Sequence, residues 1–327
     1  MGMTMTFRSA MKAICATAVL LPIFCQPTWA ADDVLRVGKS SPQSFSFVPL
    51  DVGIQAGIFK KNNLDVHIVG FSGGTKMHQA LASDGIDIGF GSGPQMILTA
   101  KSSPMMAVAE MAGAPLVFAM IVPYDSPIKS LDGLKGKKIG VSGVPSLSSF
   151  MAEELSLKKG WGPKGITPVG IGGMNYGVVA ALRTHQVDAV TFDLRVGLQL
   201  EQSKEGRVLA PCSDYVTHFI THAIFAQNDM IKNKADVLRR FLKSWFETIA
   251  YIQHNKEQSV AIASKVTGAP ATLESLEYDR LVPHFFSTDG RFQNDDLAAV
   301  AQSLVMLKDA DKLPDMSKLY TEDFLPK

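Results

Sequence analysis

FSGGTKMHQALASDGIDIGF, Phe71 to Phe90, has a counterpart further along the chain in IGGMNYGVVAALRTHQVDAVTF, Ile171 to Phe192. Both open on paired glycines. Both then carry Ala-Leu, four further residues, and a β-branched residue followed by Asp at the head of an apolar run: Ala80-Leu81 to Ile86-Asp87, and Ala181-Leu182 to Val187-Asp188. The repeat extends backwards. Leu35 to Val69 reads as a strand, a Ser/Pro-rich loop, an amphipathic stretch with Val48, Val52, Ile54 and Ile58, and a second strand. Lys137 to Ile171 reads the same way, with Phe150, Met151, Leu155 and Leu157 on its helical stretch and Gly160-Trp161 closing it. Each half is therefore β–loop–α–β–Gly loop–α–β, a pattern that implies parallel strands joined by right-handed crossovers. Two such units predict two α/β lobes. Ligands of open parallel sheets sit beyond the carboxyl ends of the strands, so two facing lobes make a cleft with one wall from each.

The first 30 residues are set apart by composition. Arg8 and Lys12 precede a short apolar run, Ala13 to Phe24, and Thr28-Trp29-Ala30 offers a small-x-small site, with cleavage expected between Ala30 and Ala31. That run is too short for a spanning helix, which needs about 20 residues. Ile23-Phe24 before Cys25 are too bulky for a lipid-anchor site, so the reading is a secretory signal and a periplasmic protein. Cys15 and Cys25 leave with it, and Cys212 alone forms no intrachain disulfide; its reading is a small buried side chain. The whole chain of 327 residues carries 32 Lys+Arg and 31 Asp+Glu, for a net +1; without Arg8 and Lys12 the count is 30 against 31, or −1. With 46% hydrophobic and 19% charged residues, the remainder matches a globular protein with a sizeable core. It has no basic stripe for nucleic acid or an anionic membrane.

Ala114 to Pro127 and Tyr215 to Ile231 are apolar runs placed to cross from one lobe to the other and back. The expected division is residues 31–122 plus 222–327 for the first lobe and 123–221 for the second. Asp236 to Lys265 and Leu297 to Leu307 carry helical apolar spacing, with Leu238, Phe241, Leu242, Trp245, Phe246 and Ile249 as core. The chain has no G-x-x-x-x-G-K-[ST], H-E-x-x-H or G-x-S-x-G pattern. His218 and His222 fall on a segment read as a strand, where four residues span about 13 Å, too far to share a metal.

Certain stretches resemble a known family. Pro49-Leu50-Asp51-Val52-Gly53 running into Gly57-Ile58-Phe59-Lys60-Lys61-Asn62-Asn63-Leu64-Asp65-Val66 is similar to a helix followed by Gly-Leu-Phe-Lys-Lys-x-Gly-Leu-Asp-Val. Leu131 to Val141 resembles the opening of the second lobe, and Val187-Asp188-Ala189 a later strand, of periplasmic solute-binding proteins of type II topology. The group is that of nitrate, sulfonate and taurine binding, which includes thiamine-pyrimidine precursor proteins. Asn63 stands where Gly is usual; both accept positive φ. The resemblance implies two α/β lobes, each a mostly parallel sheet flanked by helices, joined by two crossing strands. It also implies a role as the solute-binding component of an ABC importer, acting as a monomer with an inner-membrane permease. The family's pyrimidine-synthase branch carries a Cys cluster that this chain lacks. A sensor role for a signalling partner has no output domain to support it. No cofactor, metal or catalytic residue is implied.

Strand-end loops supply the candidate ligand contacts. In the first lobe these are Ser40, Ser41, Gln43 and Phe45; Ser72, Gly73, Gly74 and Thr75; and Gly91 and Ser92. In the second lobe they are Ser146, Ser148 and Ser149, then Asn175 and Tyr176, and finally Asp193. Hydroxyls and free N–H groups at helix N-termini suit an oxyanion, although Ser, Thr and Asp at such places also cap helices. Asp193 is open to two readings, a partner for a ligand amine or a helix N-cap beside Arg195. Lys39, Lys76 and Arg195 are the nearby cations. An amino-sulfonate such as taurine satisfies both ends, ahead of nitrate, other organic acids and a pyrimidine precursor.

Overall fold

The computed structural model describes residues 1–2, 32–101, 103–144, 146–172 and 175–327, with the side chains of Asn175 and Tyr176 outside the description. The signal-like segment lies, from residue 3 onward, outside the described residues. Asp32–Lys327 packs as one unit. Its strands are β1 (Asp33–Lys39), β2 (Leu64–Gly70), β3 (Ile88–Ser92), β4 (Met105–Ala112), β5 (Phe118–Pro123), β6 (Lys138–Val141), β7 (Thr167–Gly170), β8 (Ala189–Asp193), β9 (Gly206–Pro211) and β10 (His222–Gln227). The α-helices before β6 are α1 (Val48–Gln55), α2 (Ile58–Lys61), α3 (Gly74–Ala82) and α4 (Ile97–Ala100). Then come α5 (Leu147–Lys158), α6 (Asn175–Arg183), α7 (Leu194–Ser203), α8 (Asn228–Asn233) and α9 (Ala235–His254). Last are α10 (Lys256–Thr267), α11 (Ala271–Leu281) and α12 (Asn294–Met306).

Two five-stranded sheets result, in the orders β2-β1-β3-β10-β4 and β7-β6-β8-β5-β9. They follow one plan. β1 is parallel to β2 and β3, as β6 is to β7 and β8. One strand in each is reversed, β10 between β3 and β4, and β5 between β8 and β9. The reversed strand is the first that the chain lays down after each crossing. β5 lies wholly in the second sheet, so the first crossing is complete before Phe118.

The repeat is a folding device. In the first copy Asp87 accepts the Arg36 backbone N–H at 2.8 Å and returns its own N–H to the Arg36 carbonyl at 2.8 Å. In the second, Asp188 does the same with Lys138, at 2.9 Å each way. Each Asp thus pins the strand it precedes to the first strand of its unit. The turns before them also match: Asp84 and His185 take φ of 58° and 53°, and Gly85 and Gln186 donate back to Ala80 and Ala181. Asn63 sits at φ 56°, the conformation its position in the family pattern demands. A side chain on Gly140, in the centre of β6, would meet Val190 at 2.8 Å, so close packing of the neighbouring strand excludes one.

Around the first sheet, α9 lays Leu238, Phe241, Leu242, Trp245 and Ile249 into the core, where Phe90 meets Trp245 edge-on at 4.9 Å. One apolar cluster runs from Leu35 and Phe90 of the first lobe to Val190 and Leu194 of the second. The lobes are therefore packed together along part of their boundary. Cys212 is buried and free, and burial pushes its thiol up to about 12.

Candidate functional site

Parallel strands bring β1, β2 and β3 to one edge and β6, β7 and β8 to another, so the loops that leave them cluster. On the first edge, Ser40 donates its N–H to the Phe90 carbonyl at 3.1 Å and accepts from Gly73 N–H at 2.9 Å. That ties the Ser40 loop to the Ser72–Thr75 loop. Ser41 and Gln43 are exposed, whereas Phe45 is buried in the core. Ser72 Oγ accepts from the exposed Lys76 at 3.1 Å. Gly74 and Gly91 both lie against the Gln95 side chain, and Gln95 accepts the Ser92 N–H at 2.9 Å. Ser92 sits opposite His222 on β10.

The second edge is more self-contained. Ser146 caps α5, accepting from the Ser149 N–H at 3.1 Å, while its own N–H goes to Ser149 Oγ at 2.9 Å. Ser148 and Ser149 are buried; Ser148 Oγ accepts the Ser142 N–H at 2.9 Å, and Ser149 donates to the Ser146 carbonyl at 2.9 Å. These hydroxyls build the loop. The side chains of Asn175 and Tyr176 lie outside the described residues. Asp193 ends β8 opposite Phe118 and caps α7, accepting the Arg195 N–H at 2.8 Å. Burial holds its carboxyl above the usual range, opposed by the charge of Arg195.

The N-termini of α3, α5 and α7, with their caps among the described residues, reach the two edges. Those of α5 and α7 are capped by Ser146 and Asp193, while that of α3, with Gly73 at its cap, has no side-chain cap. The cations are mostly committed. Lys39, 1% exposed, is paired with Asp51 in α1; burial pushes the lysine down and the aspartate up. Arg195 donates through Nε to Glu277 at 2.7 Å and lies 3.2 Å from Glu274. Burial, with Asp193 and Glu274 nearby, lifts Glu277 to about 8.

Glu274 and Glu277 were not among the residues singled out from the sequence, and His222 was weighed there only as a metal partner of His218. His222 begins β10 and packs edge-on against Phe47 at 5.0 Å and Phe285 at 6.0 Å. Its Nδ1 has no hydrogen-bond partner among the described residues, and burial lowers its pKa to about 3. The two glutamates stand three residues apart on a helix, a spacing that reads as a solvated face; only the tertiary fold buries them.

Residues 44–259 match the model of the family described as NMT1/THI5 like. A putative thiamine biosynthesis protein of Haemophilus influenzae is 27% identical over 214 residues, covering 64% of this chain and 65% of that one. A putative binding protein of Brucella abortus is 27% identical over 218 residues, covering 65% and 66%. The chain thus matches about two thirds of the length of these curated relatives. Among solved structures, the periplasmic aliphatic sulphonate binding protein SsuA of Escherichia coli superposes with a TM-score of 0.75 at 20% identity, over 88% of this chain and 92% of that one. The fold is that of the periplasmic binding proteins, with two mixed α/β lobes. The chain belongs to the NMT1/THI5-like family.

Proposed function

We propose that this member of the NMT1/THI5-like family is the extracytoplasmic solute-binding component of an ABC-type importer. It takes up a small organic molecule between its lobes and delivers it, as a monomer, to a membrane permease. The lobes are residues 31–117 plus 222–327, and 118–221; the boundary expected at 122 moves because β5 pairs wholly in the second sheet. The signal-like residues 1–30 and the fold relatives support the periplasm as its place. Among the described residues no helix is long and apolar enough to cross a membrane.

The observation that carries the ligand class is the contrast between helix termini. The uncapped α3 N-terminus offers N–H groups to an anionic head. Elsewhere, Glu277 and Glu274 meet the Arg195 guanidinium and Asp193 accepts the backbone N–H of the same residue, so three carboxyls gather at one arginine. Such a cleft suits a solute with an acidic head and an amino group, and disfavours a bare anion such as nitrate. Taurine fits that description. A second reading, an aminopyrimidine precursor of thiamine, is favoured by the name of the Haemophilus relative and by the same carboxyl cluster, which can accept from an aminopyrimidine. Calorimetry with taurine, ethanesulfonate and 4-amino-5-hydroxymethyl-2-methylpyrimidine separates them. The reading requires an amino-bearing solute to bind more tightly than ethanesulfonate, and fails where the amine-free sulfonate binds best.

A further inference from the structure

α7 packs on β5, β8 and β9 and so moves with the second lobe. α11 packs on α10, which lies against α1 and α9 of the first lobe. Arg195 spans the seam between these bodies. Its Nε and Nη2 both reach Glu277 Oε2 at 2.7 Å, Nη2 lies 3.2 Å from Glu274, and Nη1 donates to the Gln43 carbonyl at 3.4 Å. One guanidinium thus holds α11 and the first strand-end loop of the opposite lobe. Glu277 and Glu274 are buried, at 2% and 0% exposure, and Arg195 is part-buried at 12%. Thr267 supplies one more hydrogen bond to Glu274 Oε1, at 2.5 Å, while Glu274 Oε2 has no partner among the described residues.

This arrangement has a directional consequence. Taking charges out of water is costly, and a buried ion pair broken by loss of one partner leaves the other charge uncompensated. With Arg195 in place, the carboxyls of Asp193, Glu274 and Glu277 share one cation in the closed seam. Without it they face one another unpaired, and parting the lobes relieves them by returning them to water. We propose that Arg195 is an inter-lobe latch, the cation that permits the acidic seam to close over the cleft. The proposal rests on the reading of the cleft as one that opens and closes around a solute.

The test is small-angle scattering at pH 9, above the value of about 8 to which burial lifts Glu277, from the protein with no added solute. Arg195→Met keeps most of the aliphatic stem and removes the charge, and is expected to enlarge the radius of gyration. Adding Glu274→Gln and Glu277→Gln to it removes the stranded carboxylates and is expected to restore the wild-type value, which lost packing alone would not do. A profile for Arg195→Met that superimposes on wild type, or expansion that persists in the triple variant, overturns the latch. Should Arg195→Met fail to fold, Arg195→Gln, which keeps hydrogen-bond donors and removes the charge, is expected to give the same expansion, and no expansion overturns the proposal. Thermal stabilisation of wild type by taurine or the aminopyrimidine is a separate readout. Stabilisation without variant opening removes the latch and keeps the solute reading; variant opening without stabilisation does the reverse.

Discussion

Asp193 is both cap and candidate ligand group, and the two roles can be separated by one atom. Asn caps a helix about as well as Asp, so Asp193→Asn preserves the bond to the Arg195 N–H while removing the charge. Binding of an amine-bearing solute is expected to weaken by about 1.5–3 kcal/mol, the range for a hydrogen bond to a charged group. Ethanesulfonate is expected to be nearly unaffected; equal losses in calorimetry would make Asp193 purely structural. Asp193 was legible in the sequence because it ends an apolar run, where strand-end chemistry is expected. Its neighbours Glu274 and Glu277 were not, because their partner Arg195 is 82 residues away from Glu277 in the chain. The same holds for Glu110 on β4, 6% exposed, whose Oε2 has no partner among the described residues. Burial, and then the nearby charges of Asp296 and Asp289, raise it from 4.5 to about 8. The folded state therefore holds a proton that the unfolded state releases, and this contribution to stability is full below about pH 4.5 and lost as pH rises towards 8. Glu110→Gln is expected to flatten that part of the decline in urea midpoints. An unchanged slope between about pH 5 and pH 8 would contradict the assignment.

At the scale of elements, the duplicated Ala-Leu-x4-β-branched-Asp pattern was readable because everything it specifies is local or one strand away. A positive-φ turn, a back-bonded helix end and an Asp that clamps the neighbouring strand recur in both units. The clamps are unequal. Asp87 is 12% exposed and also takes two bonds from the Arg36 guanidinium, whereas Asp188 is 39% exposed. Asp87→Ala should thus cost more stability than Asp188→Ala, at the upper end of the roughly 1–3 kcal/mol for stranding a buried polar group. Chemical denaturation of the two variants checks the order, and the reverse order would mean that the clamp is not what holds β3 on β1. The Ser-rich loop before α5 shows where the sequence could mislead. Hydroxyls suited to an oxyanion turned inward, since a cap and two buried serines satisfy the loop itself. Ser146→Ala should cost about 1 kcal/mol as a lost cap, with little change in solute affinity.

At the scale of the whole molecule, the alternation of strands and helices announced two lobes, and the position of the reversed strands did not follow from it. β5 and β10 enter the sheet opposite the one the chain has just left, which ties each lobe to a crossing segment. The proposed function requires the angle between the lobes to change, and a solute that binds only the closed form is then expected to stabilise it by mass action, about 2.7 kcal/mol at a hundredfold excess over Kd. The central claim is that a small molecule is captured in this cleft. Native mass spectrometry of the protein isolated from its own source tests it most directly. The account predicts a folded chain beginning at or near Ala31 and carrying one small organic molecule that bears an amino group and is lost on denaturation. A bare chain, unshifted in mass after incubation with taurine or the aminopyrimidine, would contradict it.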